Sequence, residues 1–415
     1  QFYRIAERQI AEQTGEGLVC YVSNSSWTDY LSHPGMRERF LGAFDRIWID
    51  NLNGDSRRTG KLTPDGKTDP SAFKTKKNTA GIRVGTAVAL MVRTADHDTG
   101  GTAAVQYRDF WGESKLDTLD ALSNQGSLSG LGVEGPAYRP IEPEPAFGLP
   151  FIPVETPLQY RDWAPLTDLF PESFPGVKTS RDEALVSIDR HDLEARMQRY
   201  FDPDVSDVEI KKSDPVLMTK TTGFNPKSTR ETMLRLGMDA GRVVPYLHRP
   251  FDPQWLFWIE QTKLLDRERA DYLKHFVTAN KWLGAAKANR KVYDPPLYTS
   301  RVSSLHINER TALMVPLYLA PDLGSGGGAV RENLSAIARA YLESIGGEAV
   351  GATADALFHH ALAVMHAPAY AEENGDALRL VWPRIPLPAS AADLRTSAAL
   401  GRQVAALLAP ATPLP

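Results

Sequence analysis

Apolar and polar positions alternate with two different periods over the first hundred residues. Phe2, Ile5, Ala6 and Ile10 recur at helical spacing, which predicts an amphipathic helix at 2–13. Gly15 and Gly17 break it, and "LVCYVSN" follows as an almost unbroken apolar strand. A second helix at about 35–44 leads into the strand "RIWIDNL". After a long polar segment, "GTAVALMVRT" and "AAVQYRDF" predict a closing hairpin pair. Near-continuous apolar strands alternating with helices predict half of an α/β domain, with the sheet covered on both faces. Cys20, inside the run "GLVCYVSN", is then expected to be a packed core residue rather than a nucleophile.

The pattern changes beyond residue 132. Ten prolines fall between Gly135 and Gly176, too many for regular elements to persist. Three parts follow: 1–132 as the partial α/β sheet, 133–176 as an extended surface connector, and 177–415 as an α+β region. The last mixes short strands ("VVPYLHRPF", "WLFWIE", "RVSSLHI", "ALMVPLYL") with helices at about 189–201, 228–237 and 267–279. From about 330 the pattern is helical, through "VRENLSAIARAYLES", "DALFHHALAVMHAPAY" and "AADLRTSAALGRQVAALL".

Composition narrows the class. A 415-residue chain with 42% hydrophobic residues has material for two or three domains. No apolar run approaches the roughly 20 residues of a membrane span, and the N-terminus lacks a secretory layout. One cysteine excludes an intrachain disulfide and a cysteine-cluster metal site, consistent with a reducing, cytoplasmic setting. The chain opens without Met inside a helical pattern, so further sequence is expected before it.

The net charge of -4 neither demands nor excludes a polyanionic partner, because clustering decides. In "DRIWIDNLNGDSRRTGK" a buried strand passes into the turn Asn53-Gly54 and then Arg57-Arg58. Between there and Arg83 lie Lys61, Lys67, Lys74, Lys76 and Lys77, against Asp65 and Asp69 alone. The segment is either a solvated loop or a phosphate-contacting one. "KWLGAAKANRK" at 281–291, with Lys281 and Arg290, is a second basic stretch, either a short helix or a phosphate contact.

Two motifs imitate a catalytic site. "YLAPDLGSGGGAV" has the layout of a cofactor loop after a strand, and "YDPPLY" resembles an Asp/Asn-Pro-Pro-aromatic amine-binding turn. Leu297 holds the aromatic position, and Pro321 sits badly in a central strand. His359, His360 and His366 share a predicted helix without a carboxylate at zincin spacing, so they read as packing or surface residues and no metal site is assigned.

"GLVCYVSNSSWTDYLSHPGMRERFLGAFDRIWIDNLNGDSR", "PDGKTDP" and "GTAVALMV" resemble the part of γ-type adenine DNA methyltransferases that follows the catalytic Asn-Pro-Pro-Tyr turn, as found in Type ISP restriction-modification enzymes. "FPGVKTSRDEALV", "LHRPFDPQWLFW", "PLYL" and "HAPAYAEENGDALRLVWPRIPLP" are similar to that family's specificity region, in the same order. The resemblance implies a Rossmann-like partial methyltransferase sheet followed by a target-recognition domain. It implies duplex DNA as partner, together with an upstream methyltransferase segment, to which nuclease or helicase domains can be attached. In the intact enzyme S-adenosylmethionine would donate a methyl group to an extruded adenine. The cofactor loop and the Asn-Pro-Pro-Tyr turn would lie upstream of Gln1, so no catalytic residue or cofactor is assigned to this chain, which is expected to be inactive alone. Asn53, Arg57, Arg58, Lys61, Lys74, Lys76, Lys77, Arg83, Lys281 and Arg290 become DNA-binding candidates. Ala80 holds the place of the family's base-stacking aromatic, leaving Phe73 as base-stacker or plain loop anchor. A self-contained permuted methyltransferase using 294–328 and a non-catalytic interaction scaffold are the rival readings.

Overall fold

The helical spacing at the N-terminus forms α1 (Phe2–Arg8), which runs on as a π turn over Gln9–Thr14 and ends at Gly15 in the left-handed region. The apolar runs become β1 (Gly17–Asn24), β2 (Arg46–Asn51), β3 (Thr86–Arg93) and β4 (Ala104–Asp109), with α2 (Pro34–Ala43) between the first two. The computed structural model describes residues 1–124, 135–260, 262–277, 280–289, 292–308, 312–321 and 329–409. They form two units, one of 1–157 with 289–293 and 374–381, the other holding the remainder. The architecture is mixed α/β.

In the first unit five strands lie in the order β1-β3-β2-β4-β5, the last being Arg139–Ile141. β3 is antiparallel to both neighbours and β2 is parallel to β4, so β1, β2 and β4 point the same way. The expected hairpin between β3 and β4 does not form, because β2 pairs with both and separates them. Val19, Met91, Ile47 and Val105 stand in one cross-strand row and pack with Trp27, Phe40, Phe44 and Phe151. The neighbouring row, Cys20, Leu90, Trp48 and Gln106, faces the other way. On that face Leu18 is 68% and Val22 58% exposed, and Cys20 is exposed too. This overturns the expected burial of Cys20 and the two-sided cover of β1. The strand is apolar on both faces from Leu18 to Val22, but among the described residues it is the Val19 side that packs into the core.

The proline-rich segment is not merely superficial. Phe147 and Phe151 are buried, and Arg37 clamps its turn by donating from Nη2 to the Gly148 carbonyl at 2.7 Å and from Nη1 to the Trp27 carbonyl at 2.8 Å.

The second unit builds a four-stranded sheet in the order Val302–Ser303, Val243–Arg249, Asp252–Phe257, Val186–Ser187. Helices Arg190–Tyr200 and Pro226–Leu236 contribute Leu193, Met197 and Met233 to its core. A three-stranded sheet has Trp282–Ala286 at its centre, so the short helix expected within 281–291 is overturned. All five of those residues are buried, and a strand with neighbours on both sides buries them where a surface helix would not. The helix expected at 267–279 shrinks to Ala270–Leu273. Near the C-terminus α4 (Ala354–His366) packs against α5 (Ala391–Leu408), with Gly401 of α5 against the backbone of His359.

A Cβ at position 401 would lie 1.8 Å from the His359 carbonyl oxygen. Gly401→Ala must therefore part the two helices, and an urea titration should show a loss of about 3 kcal/mol, the upper end for overpacking.

Candidate nucleic-acid interface

The strand ends of β1, β2 and β4 converge on a polar recess of about 730 Å³ in the first unit. Asn51 Nδ2 donates to Tyr107 Oη at 2.8 Å and lies 3.0 Å from Asp109 Oδ1, while Tyr107 donates to the same carboxylate oxygen at 2.7 Å. Asn53 Nδ2 donates to Asp109 Oδ1 at 3.1 Å and to the Phe110 carbonyl at 3.2 Å. Asn53 and Gly54 have φ of 48° and 75°, as their expected turn role requires. The Asn53 side chain thus serves the turn.

The basic segment from residue 55 to 85 is an ordered scaffold. Buried Asp55 accepts from the backbone N–H of Arg57 at 2.6 Å and of Gly85 at 3.1 Å, pinning both ends of the loop. Asp69 accepts from Gly54 N at 2.7 Å and Gly112 N at 2.9 Å. Lys115, at the start of α3 (Lys115–Asn124), donates to Asp69 Oδ1 at 2.5 Å, the Leu52 carbonyl at 2.7 Å and the Pro70 carbonyl at 2.9 Å. All three ammonium protons are satisfied. Burial pulls the Lys115 pKa below its ordinary value, and the Asp69 carboxylate opposes the shift.

The basic candidates divide by their partners. Arg57, Lys76, Lys77 and Arg83 are exposed, and their side chains make no hydrogen bond or ion pair among the described residues. Lys74 is exposed with Glu113 4.0 Å away, and Phe73 is 52% exposed on the same loop. Lys61 donates to the Ala80 carbonyl. Arg58 pairs at 2.5 Å with the buried carboxylate of Asp29 and lies over the Tyr30 ring. Burial holds the Asp29 carboxyl above the usual carboxylate range, with Arg58 opposing.

Lys281 belongs to a separate cluster in the second unit. Its Nζ meets Asp355 at 2.6 Å, and the same carboxylate takes Arg402 at 2.7 Å and His359 at 3.3 Å. Arg290 lies outside the described residues. His360 hydrogen-bonds Ser397 Oγ and the Pro386 carbonyl, and His366 the Pro296 carbonyl, each at 2.8 Å. No group of three or more His, Cys, Asp or Glu suited to a metal ion occurs among the described residues. No helix among them is long and apolar enough to cross a membrane.

Sequence reasoning missed Asp55, Asp69, Lys115 and Asp109, which build the scaffold. Asp55, two residues before Arg57, carries the local signal of a side chain closing its own turn. Lys115 and Asp69 are 46 residues apart and carry none.

A mixed α/β chain with an ordered basic loop beside a sheet of parallel strand ends defines the class on which the comparisons then bear. Residues 168–410 match the model of the Type ISP C-terminal specificity domain, and the chain belongs to that family. The fold is similar to that in the electron cryomicroscopy structure of a DrdV–DNA complex, at TM-score 0.66 and 21% identity, covering all of this chain and 40% of that one. It is also similar to a nuclease-deletion mutant of the Type ISP enzyme LlaGI in complex with a DNA substrate mimic (TM-score 0.61, 18% identity, all of this chain and 31% of that one). The ATP-dependent Type ISP enzyme LlaBIII bound to DNA gives TM-score 0.64 at 16% identity, over all of this chain and 26% of that one. The chain thus spans less than half the length of each of these proteins. No curated protein sequence matches it.

Two outcomes test this geometry. Lys115→Ala strands Asp69 without its buried counter-charge, and denaturant unfolding should register a loss of about 3–5 kcal/mol. Asp355 is the pH-dependent case. Hydrogen bonding by His359, then by Lys281 and Arg402, holds its carboxyl well below the usual carboxylate range. Its folded pKa lies under its unfolded one, so its stabilisation is complete above the unfolded value of about 3.9 and fades as pH falls further. The stability gap between wild type and Asp355→Asn, followed by urea titration across pH, should be largest near neutrality and shrink below about pH 4.

Proposed function

We propose that this chain is the DNA-recognising C-terminal part of an adenine-specific DNA methyltransferase in a restriction-modification system. The observation that carries the reading is the loop held by Asp55, Asp69 and Lys115. Its backbone is fixed by buried groups, while Arg57, Lys76, Lys77 and Arg83 point their charges to solvent beside exposed Phe73. A merely solvated loop has no need of a buried lysine–aspartate pair beneath it, since desolvating both charges is costly. A fixed array of cations suits phosphates at set spacing, which hold register while other groups read bases. Membership of the specificity-domain family supports the same reading.

Methyl transfer would draw on S-adenosylmethionine bound by polypeptide upstream of this chain. One observation argues against "YDPPLY" as the catalytic turn of a permuted enzyme. Leu297 replaces the aromatic of the "YDPPLY" turn and is buried in strand Leu297–Thr299. The Pro296 carbonyl at the end of the turn takes His366 Nε2 at 2.8 Å. With leucine at the aromatic position the turn does not fit an amine-binding role. Gly324 and Gly326 to Gly328, the other half of the permuted-enzyme reading, lie outside the described residues.

The discriminating measurement is binding of the chain to duplex DNA across a salt series. Arg57→Ala, Lys76→Ala and Lys77→Ala should each lower the salt slope by roughly one unit and weaken all sequences alike. Arg58→Ala should instead lower stability, because it abandons buried Asp29. Absence of binding at low salt would favour the interaction-scaffold reading.

A further inference from the structure

The second unit holds a cleft of about 810 Å³ remote in sequence from the basic loop, with the 263–271 segment as one wall and the turn Thr221–Phe224 as another. Ser180, Lys263 and Arg269, all lining it, have φ of 57°, 59° and 58°. They are three of the seven non-glycine residues with positive φ among the described residues. Such conformations cost roughly 1 kcal/mol or more each and persist where the surroundings impose them.

The surroundings are specific. Arg181 is buried, lies 3.8 Å over the Phe224 ring, and donates from Nε to the Leu264 carbonyl at 2.7 Å and from Nη2 to the Lys263 carbonyl at 2.8 Å. Trp258 Nε1 donates to the Glu268 carbonyl at 2.7 Å. Lys178 and Ser180 hold Asp266 at 2.6 and 3.0 Å. The backbone of the wall is thus braced at 263, 264 and 268, and the Asp266 side chain is held between them.

Its remaining charged groups are left over. The side chains of Lys263, Arg267, Glu268 and Arg269 make no hydrogen bond or ion pair among the described residues, and Arg269 Nε is out of contact with solvent and still without a partner. Cations and a carboxylate in sequence are the wrong surface for a row of phosphates, which would reject Glu268. They suit base edges, where arginine meets the two acceptors of guanine and a carboxylate accepts from the amine of cytosine.

On the reading that this chain binds duplex DNA, we propose that the braced segment Lys263–Arg269 reads base edges, with Arg269 and Glu268 as specificity-determining residues. The test is selection of bound duplexes from a randomised library by the chain, its Arg269→Gly and its Glu268→Gln variants, followed by sequencing. Glycine at 269 accepts the positive φ, so that variant relieves backbone strain while removing the guanidinium. Each variant should lose base preference at one or two positions, by roughly 5- to 150-fold against wild type, with the salt slope of binding unchanged. Thermal unfolding should show Arg269→Gly at least as stable as wild type. A wild-type motif that both folded variants reproduce at full strength overturns the assignment and leaves DNA binding standing. A wild-type chain that binds no duplex at low salt overturns the DNA reading itself, and this inference with it.

Discussion

The first unit depends on one buried charge pair. Lys115 Nζ and Asp69 join three stretches: the end of β2 at Leu52–Gly54, the loop at Asp69–Pro70, and Gly112–Lys115 leading into α3. Ionised groups are tolerated in such a place only when every donor and acceptor is used, and here the lysine's three protons find three oxygens. The pair also makes the packing around Gly54 exacting. A Cβ there would sit 2.8 Å from the Pro70 carbonyl oxygen, on a residue already at positive φ.

That constraint accounts for the split among the basic residues. Where the chain is drawn inward its cations are consumed: Arg58 by Asp29, Lys61 by the Ala80 carbonyl. Where it loops outward over the pinned Asp55 and Asp69, charges remain unpaired at Arg57, Lys76, Lys77 and Arg83. A lysine in sequence therefore has no fixed meaning. Lys281 and Lys263 both lie in the second unit, yet the first ends on Asp355 and the second projects free from a strained backbone.

The two units use backbone strain and polar burial differently. In the first, Asn53 and Gly54 take positive φ in a turn whose side-chain amide is spent on Asp109 and the Phe110 carbonyl. In the second, Lys263 and Arg269 adopt the same conformation, held by Arg181 and Trp258 through neighbouring carbonyls, and the Arg269 carbonyl caps the short helix Ala270–Leu273. The turn leaves no polar side-chain group free, while the braced segment leaves charges unmatched, which is what the proposed recognition role uses.

The sequence by itself determined what depends on neighbours along the chain. Helical and strand periodicity placed β1, β2 and the helices around 190–200, 226–236 and 391–408, and Asn53-Gly54 announced its turn. The motifs from "FPGVKTSRDEALV" onward marked the specificity-domain family across 168–410. Tertiary structure decided what depends on pairing. β2 intervenes between β3 and β4, so the adjacent runs that read as a hairpin never meet. Cys20 turns outward because alternate residues of a strand face opposite ways, and no helix covers its side among the described residues. Residues 282–286 read as helical in isolation and became a central strand because two partners supply their backbone hydrogen bonds. Lys115 and Asp69, Arg58 and Asp29, Lys281 and Asp355 are each far apart in sequence. Which basic side chains stay free was decided by those contacts, because a charge is spent on whatever partner folding brings within reach, and periodicity carries no information about that distance.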